Sequence, residues 1–512
     1  MFLTNLLTPY TLVLISLLYY VLPYIRNWSI RRIPAPLPAA FSNLWLLYQC
    51  RRGKRYIAVD EAHKRYGTLV RIQPNHVSVA DAEAIPVIYG HGNGFLKSEY
   101  YDAFVSIRRG LFNTRDRAEH TRKRKTVAHT FSAKSVGQFE QYMHHNLEEL
   151  QKQWDERAAS AAVTKDGKDG YYQMDALHWF NYLAFDVIGD LAFGAPFGML
   201  KEGRDFAEVR KTPDSEPTFA PAIEVLNRRG EVSGALGCLP QLKPYAGYLP
   251  DPFFSKGIAA VQNLAGIAIA RVDARLNSPT DRVDLLARLM EGRDETGAKL
   301  GREELTAEAL TQLIAGSDTT SNTSCALLYH CLRNPDVVHK LREELDNAIP
   351  DIDTVPQFAQ VKDLPYLDAV IKETMRIHST SSLGLPRVIP PGPGVTLKLS
   401  DASSVHFPQG VTLSVPAYTI HHSTAIWGPD ASSFRPERWA TVTEAQKAAF
   451  IPFSYGPRAC VGRNVAEMEL ALIVGTVFRR YEFELRQGVM ETREGFLRKP
   501  LGLEVGMRRR RV

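Results

Sequence analysis

The chain has 512 residues, 45% hydrophobic and 23% charged, enough apolar material for a large folded body. Its net charge is only +6, and no Lys/Arg cluster is interleaved with aromatics, which argues against nucleic acid as the partner. Five cysteines, Cys50, Cys238, Cys325, Cys331 and Cys460, are odd in number and lack framework spacing, so they read as reduced thiols in a cytosol-facing body.

Residues 1–25 hold no charged side chain and 18 apolar ones, long enough to cross roughly 30 Å of hydrocarbon. There is no basic leader and no small-residue cleavage site, which argues against a secretory signal. Arg26, Arg31 and Arg32 follow and place that flank on the cytosolic side. Ile33-Pro34-Ala35-Pro36-Leu37-Pro38 then reads as a stiff extended spacer. The expected division is an anchor over 1–25, a basic, Pro-rich hinge over 26–40 and one body over 41–512. Val70-Arg71-Ile72 and Val77-Ser78-Val79 alternate around Pro74-Asn75, a hairpin signal. Helical periodicity dominates afterwards, over 139–154 and 179–193. Residues 158–170 read as a surface loop and 211–217 as a second break.

His120 and Arg124 stand four apart on one helix face, and Arg122, Lys123 and Lys125 crowd the same turn. Those surplus cations suit a docking surface for an acidic partner. A long helix is predicted from a Thr306 cap to Asn334, stopped by Pro335. Its centre holds Gly316 and the polar run Ser317-Asp318-Thr319-Thr320-Ser321-Asn322-Thr323-Ser324, so it is expected to open locally and admit water. Glu373 and Arg376 form an Glu-x-x-Arg pair, and Arg438 sits in a later Pro-x-Arg element. The pair His421-His422 is expected on a strand, facing opposite ways, and so not as a metal site. The terminal Arg508-Arg509-Arg510-Arg511 reads as a solvated tail.

The most informative stretch is Phe453-Ser454-Tyr455-Gly456-Pro457-Arg458-Ala459-Cys460-Val461-Gly462, followed by an apolar-periodic run. Two glycines let the backbone turn tightly around one sulfur, and amide groups of the turn and helix start face it. A lone thiolate without CxxC or nearby His does not suit tetrahedral zinc, but it suits the single axial position of a haem iron.

These ten residues, with Ala315-Gly316-Ser317-Asp318-Thr319-Thr320 and the Glu373/Arg376/Arg438 set, resemble the cytochrome P-450 superfamily of haem-thiolate monooxygenases. The resemblance implies a mainly α fold with small β-sheets, haem b between the long central helix and the cysteine loop, and an N-terminal membrane anchor in the endoplasmic reticulum. It implies Cys460 as iron ligand, with Gly316 and Phe453 beside the haem. His120, where Trp is common, would join Arg124, Arg387 and Arg458 on the propionates. Asp318 and Thr319 would handle oxygen and protons, and Glu373, Arg376 and Arg438 would form a structural charged triad. The partners implied are O2 and an NADPH–cytochrome P-450 reductase. Stretches 94–127, 310–326, 373–387, 450–470 and 490–506 further resemble fungal benzoate-hydroxylating members, implying para-hydroxylation to 4-hydroxybenzoate. Another small aromatic, phenolic or fatty-acid substrate is the alternative. A benzoate anion in an apolar pocket needs a cation or several donors. Candidates are Tyr101, Arg108, Arg109 and the hydroxyls of Thr380, Ser381 and Ser382.

Overall fold

The computed structural model describes residues 9–163, 170–278, 280, 282 and 284–511. Its axis is the helix Arg302–Leu332, whose 31 residues make a rod of about 46 Å. It packs against Ala176–Phe193, Pro252–Asn277, Pro365–Ile377 and Arg463–Arg480. The rod begins one turn before the expected cap. Glu303 and Glu304 occupy its positive first turn, and Thr306 lies inside, its Oγ1 donating to Arg302 O at 2.8 Å.

The polar centre does not open the helix. Ser317 donates to Leu313 O at 2.7 Å, Thr319 to Ala315 O at 2.7 Å and Thr323 to Thr319 O at 2.8 Å. Hydroxyls bonded back to carbonyls four residues earlier are satisfied within a continuous helix, so no backbone bond has to break. Pro335 opens the next helix, Pro335–Ala348, where its missing N–H is not needed. Ala176–Phe193 is apolar on nearly every face and accordingly buried on nearly every face.

The predicted hairpin is present, with Leu69 opposite Val79. It forms the edge of a five-stranded sheet in the order Leu69–Gln73, His76–Val79, Thr412–Ser414, Arg387–Val388, Leu96–Lys97. The second and third of these run parallel and the other neighbours antiparallel. One register matters for the site: Lys97 pairs directly with Arg387.

Several local expectations change. Helix Glu140–Val163 continues past 158, and residues 164–169 of the expected loop lie outside the described ones. The break at 211–217 is the turn between strands Ala207–Val209 and Thr218–Ala220. His421 ends a short helix, Ala417–His421, instead of lying on a strand, and its Nε2 accepts from Ile451 N–H at 3.0 Å. The terminal arginines are not a free tail. Arg508 and Arg509 belong to strand Glu504–Arg509; Arg508 pairs with Glu482 at 2.8 Å and Arg510 with Asp346 at 2.9 Å.

At the other end, helix Pro9–Arg26 leaves Val13, Leu14, Leu17, Leu18 and Ile25 exposed. The following segment is docked: Ile30 is buried against the sheet, and Arg71 N–H donates to Pro34 O at 2.8 Å. Pro252–Asn277 is long and apolar enough to span a bilayer, but half of its apolar window is packed inside the body.

Candidate haem and substrate site

The cysteine loop is shaped by close backbone approach. Gly456 has φ 72°, and a Cβ there would stand 2.0 Å from Tyr89 O, so only glycine fits. Ala459 N–H donates to Gly456 O at 3.0 Å and Cys460 N–H to Phe453 O at 2.9 Å, which closes the loop around the sulfur. Helix Arg463–Arg480 starts just behind it. Cys460 is exposed, unlike the four other cysteines, which are buried. Surrounding protein nonetheless pushes its thiol up, while the Gly462 amide and the Arg124 and Arg463 guanidiniums pull it down. On the central helix, burial is likewise interrupted at Ala315, Gly316 and Thr319.

Beside the loop is a group of cations. Arg387 is buried; its Nη1 donates to Tyr101 Oη at 2.9 Å, and its Nη2 has no partner among the described residues. Across the register, Lys97 is also buried, 4.5 Å over the rings of both Tyr101 and Phe112, and donates to Phe112 O. Arg124 donates to Ala459 O at 2.6 Å and Arg458 to Thr114 O at 2.6 Å. Burial, then Arg387, Arg458 and Arg124, hold the Lys97 ammonium well below its usual range. Burial followed chiefly by Arg387 lowers Arg458 to about 10. His120 is lowered to about 3, by burial and then Arg458, Lys97, Arg124 and Arg387, so its imidazole is neutral. Among the described residues none of these cations is ion-paired. Like charges opposed on neighbouring strands are destabilising, and a buried charge without a counterion is costly. The arrangement requires an anion, and a dicarboxylate porphyrin next to a thiolate supplies it. The donor set therefore fits haem.

The other charged cluster is closed. Glu373 Oε1 accepts from Arg376 Nη2 at 2.8 Å and Arg438 Nε at 2.9 Å, and Oε2 from Arg376 Nε at 2.9 Å and Trp439 Nε1 at 3.0 Å. Arg376 Nη1 reaches His421 O and Ala431 O, both at 2.7 Å.

Other expected residues sit differently. A Cβ on Gly316 would meet Ile188 Cδ1 at 2.7 Å, so the missing side chain lets two helices approach. Asp318 is buried without an ion pair; burial raises its carboxyl, and Lys499 and then Arg229 pull it back. Phe453 is half-buried, with Arg463 5.6 Å from its ring centre. Lys123 is not a surface cation: it is buried with Glu304 and with Glu308 at 2.9 Å, and Arg122 is tied to Glu119 at 2.7 Å. Of that expected docking face, Lys125 is the cation that stays exposed.

The proposed carboxylate holders do not converge. Tyr101 belongs to the Arg387 cluster. Arg108 and Arg109 lie at the surface with Glu304 at 3.5 Å and Asp102 at 2.7 Å. Thr380 Oγ1 meets Thr323 Oγ1 at 3.3 Å, whereas Ser382 Oγ turns back to Ser379 O, and Ser382 lines a different cavity of about 360 Å³ with Arg55, Tyr100 and His76. The Thr380 and Ser382 hydroxyls diverge because this segment has no regular repeat, and Ser381 O accepts from Ser379 Oγ at 3.3 Å.

Sequence reasoning missed Lys97 and Arg229. Lys97 lies in a two-residue strand that no motif marks. Arg229 had a signal: it falls on the apolar stripe of Ala222, Val225, Leu226, Val232 and Leu236.

Residues 34–507 match the family model of cytochrome P450, and the chain belongs to that family. It is 66% identical to benzoate 4-monooxygenase bphA of Aspergillus niger, over 99% of this chain and 98% of that one. Cytochrome P450 monooxygenase ORF11 of Penicillium roqueforti is 31% identical, covering 94% of this chain and 95% of its own. Tryprostatin B 6-hydroxylase of Neosartorya fischeri is 29% identical, over 90% and 77%.

Proposed function

We propose that this P450 hydroxylates benzoate at the para carbon to give 4-hydroxybenzoate, using O2 and two electrons from NADPH delivered by a cytochrome P-450 reductase. The observation that carries the reading is the 66% identity to the Aspergillus niger benzoate 4-monooxygenase along essentially the whole of both chains. Bound haem supplies the activation of dioxygen and the insertion of one oxygen atom into a ring C–H bond.

In this reading Cys460 is the axial ligand, and the loop amides and Arg124 favour its thiolate. Lys97, Arg124, Arg387 and Arg458 hold the propionates, and neutral His120 donates one further hydrogen bond. Asp318 and Thr319 deliver protons from the central helix: burial raises the Asp318 carboxyl while Lys499 and Arg229 pull it back, and Thr319 Oγ1 is anchored on Ala315 O. The exposed apolar helix Pro9–Arg26 belongs to an N-terminal anchor in the endoplasmic reticulum membrane, with Arg26, Arg31 and Arg32 on the cytosolic side.

The test is reconstitution of purified holoprotein with a fungal reductase, NADPH and benzoate, followed by product chromatography. The reading expects 4-hydroxybenzoate dependent on O2 and reductase. NADPH consumption with no hydroxybenzoate, alongside turnover of a phenol or fatty acid, would overturn it.

A further inference from the structure

Among the described residues, four buried cations make no ion pair: Arg71, Lys97, Arg229 and Arg387. Arg71 gives Nε and Nη2 to Pro74 O and lies beside the N-terminal helix, 5.4 Å from the Tyr24 ring centre, with no partner for its Nη1 among the described residues, and Lys97 and Arg387 belong to the propionate cluster. Arg229 is left. It is 4% exposed, its Nη2 donates to Phe104 O at 2.9 Å, and its Nε has no partner.

Arg229 sits where a helix, a hairpin and a group of aromatic rings meet, 5.3 Å from the Phe104 ring centre. Its helix, Ala222–Leu236, is pressed onto the hairpin Thr492–Pro500; a Cβ on Gly495 would stand 2.8 Å from Glu231 N. Beside its acceptor, Phe104, Phe112 and Phe496 meet edge to face, with centroids 5.0, 5.1 and 5.8 Å apart. Phe112 O in turn accepts from Lys97, so this aromatic group lies between Arg229 and the propionate cations. Arg229 also acts electrostatically on Asp318 of the central helix, as does Lys499 of the hairpin. Burying an arginine with an unused donor is costly unless a ligand meets it.

We propose that Arg229 is the substrate's anion anchor, taking the carboxylate of a small aromatic acid through Nε and its guanidinium edge while Phe104, Phe112 and Phe496 pack the ring. This rests on the benzoate reading and names the residue that fixes which carbon is oxidised. A carboxylate held at Arg229 keeps the opposite ring carbon turned away from the anchor.

The experiment is spectral titration of ferric holoprotein with benzoate and with benzamide, its neutral counterpart, in wild type and in Arg229→Gln, Arg229→Met and Arg229→Lys. Wild type should prefer the acid. Gln and Met should raise the benzoate Kd at least about 30-fold and the benzamide Kd less than about threefold, while Lys retains most of the acid preference. Thiolate-type spectra of the reduced CO complexes report intact folding, and if one uncharged variant loses haem the other and Lys carry the comparison. Equal losses for acid and amide, unchanged benzoate binding, or a Lys variant no better than Met would overturn the anchor. Should wild type make no 4-hydroxybenzoate yet prefer aromatic acids to their amides through Arg229, the benzoate reading falls and the anchor stands.

Discussion

Two of the charge clusters among the described residues differ in one respect. In the Glu373–Arg376–Arg438 triad every charged group is met by protein, down to the indole of Trp439 and the carbonyls of His421 and Ala431. Around Lys97, Arg124, Arg387 and Arg458 there are four cations and, among the described residues, no ion-paired carboxylate and no acceptor for Arg387 Nη2. A saturated cluster stabilises what it touches; an unsaturated one waits for a ligand. The same distinction separates Arg229, with its idle Nε, from Arg55, which is equally buried but paired with Glu494 at 3.0 Å.

The largest effect should come from breaking the closed cluster. Arg376→Ala removes one of the two guanidiniums that hold buried Glu373 and leaves it Arg438 and the Trp439 indole, at a cost of about 3–5 kcal/mol. Urea unfolding should show this whether or not haem is present, and a loss below about 1 kcal/mol would mean that the triad is not load-sharing. Arg387→Met should do the reverse. It removes one of several mutually repelling cations, so stability of the haem-free chain should hold or rise, while haem loss to a scavenging globin should speed up about tenfold or more. Equal haem retention would remove Arg387 from the propionate site.

A smaller effect sharpens the comparison within one carboxyl. Glu469 is buried, accepts from Thr320 Oγ1 at 3.1 Å through Oε2, and leaves Oε1 unmet. Burial raises it to about 8, above its ordinary 4.5. Between those values the native chain binds the proton and the unfolded chain does not. Stability from this group is therefore intact below about pH 4.5 and falls as pH rises toward 8, by at most ~1.4 kcal/mol per unit. Glu469→Gln should flatten that slope in urea unfolding from pH 5 to 8; an unchanged slope would show that Glu469 is already ionised.

How much of this was legible beforehand follows from how local each signal is. The cysteine loop, the Glu-x-x-Arg pair and the hairpin at 69–79 are set by neighbours in sequence, so residue types and spacing were enough. The length of the central helix was legible, but its opening was not, because whether Ser317, Thr319 and Thr323 compete with the backbone or bond back onto it depends on rotamers. Lys123 looked like surface charge until folding brought Glu304 and Glu308 onto it from 180 residues away. Lys97 and Arg229 were invisible for the same reason: their meaning lies in what stands across from them. That Thr380 Oγ1 and Ser382 Oγ meet different partners was not legible either, because it depends on the irregular backbone between them.

The central claim is that one accessible sulfur, ringed by loop amides and backed by unpaired cations, carries the haem iron. The direct measurement is the absorption spectrum of the reduced CO complex for wild type and Cys460→Ser. Wild type should show the red-shifted Soret band of a thiolate ligand, and the serine variant should lose both that band and NADPH-driven turnover. A serine variant with the same band and the same turnover would contradict the account.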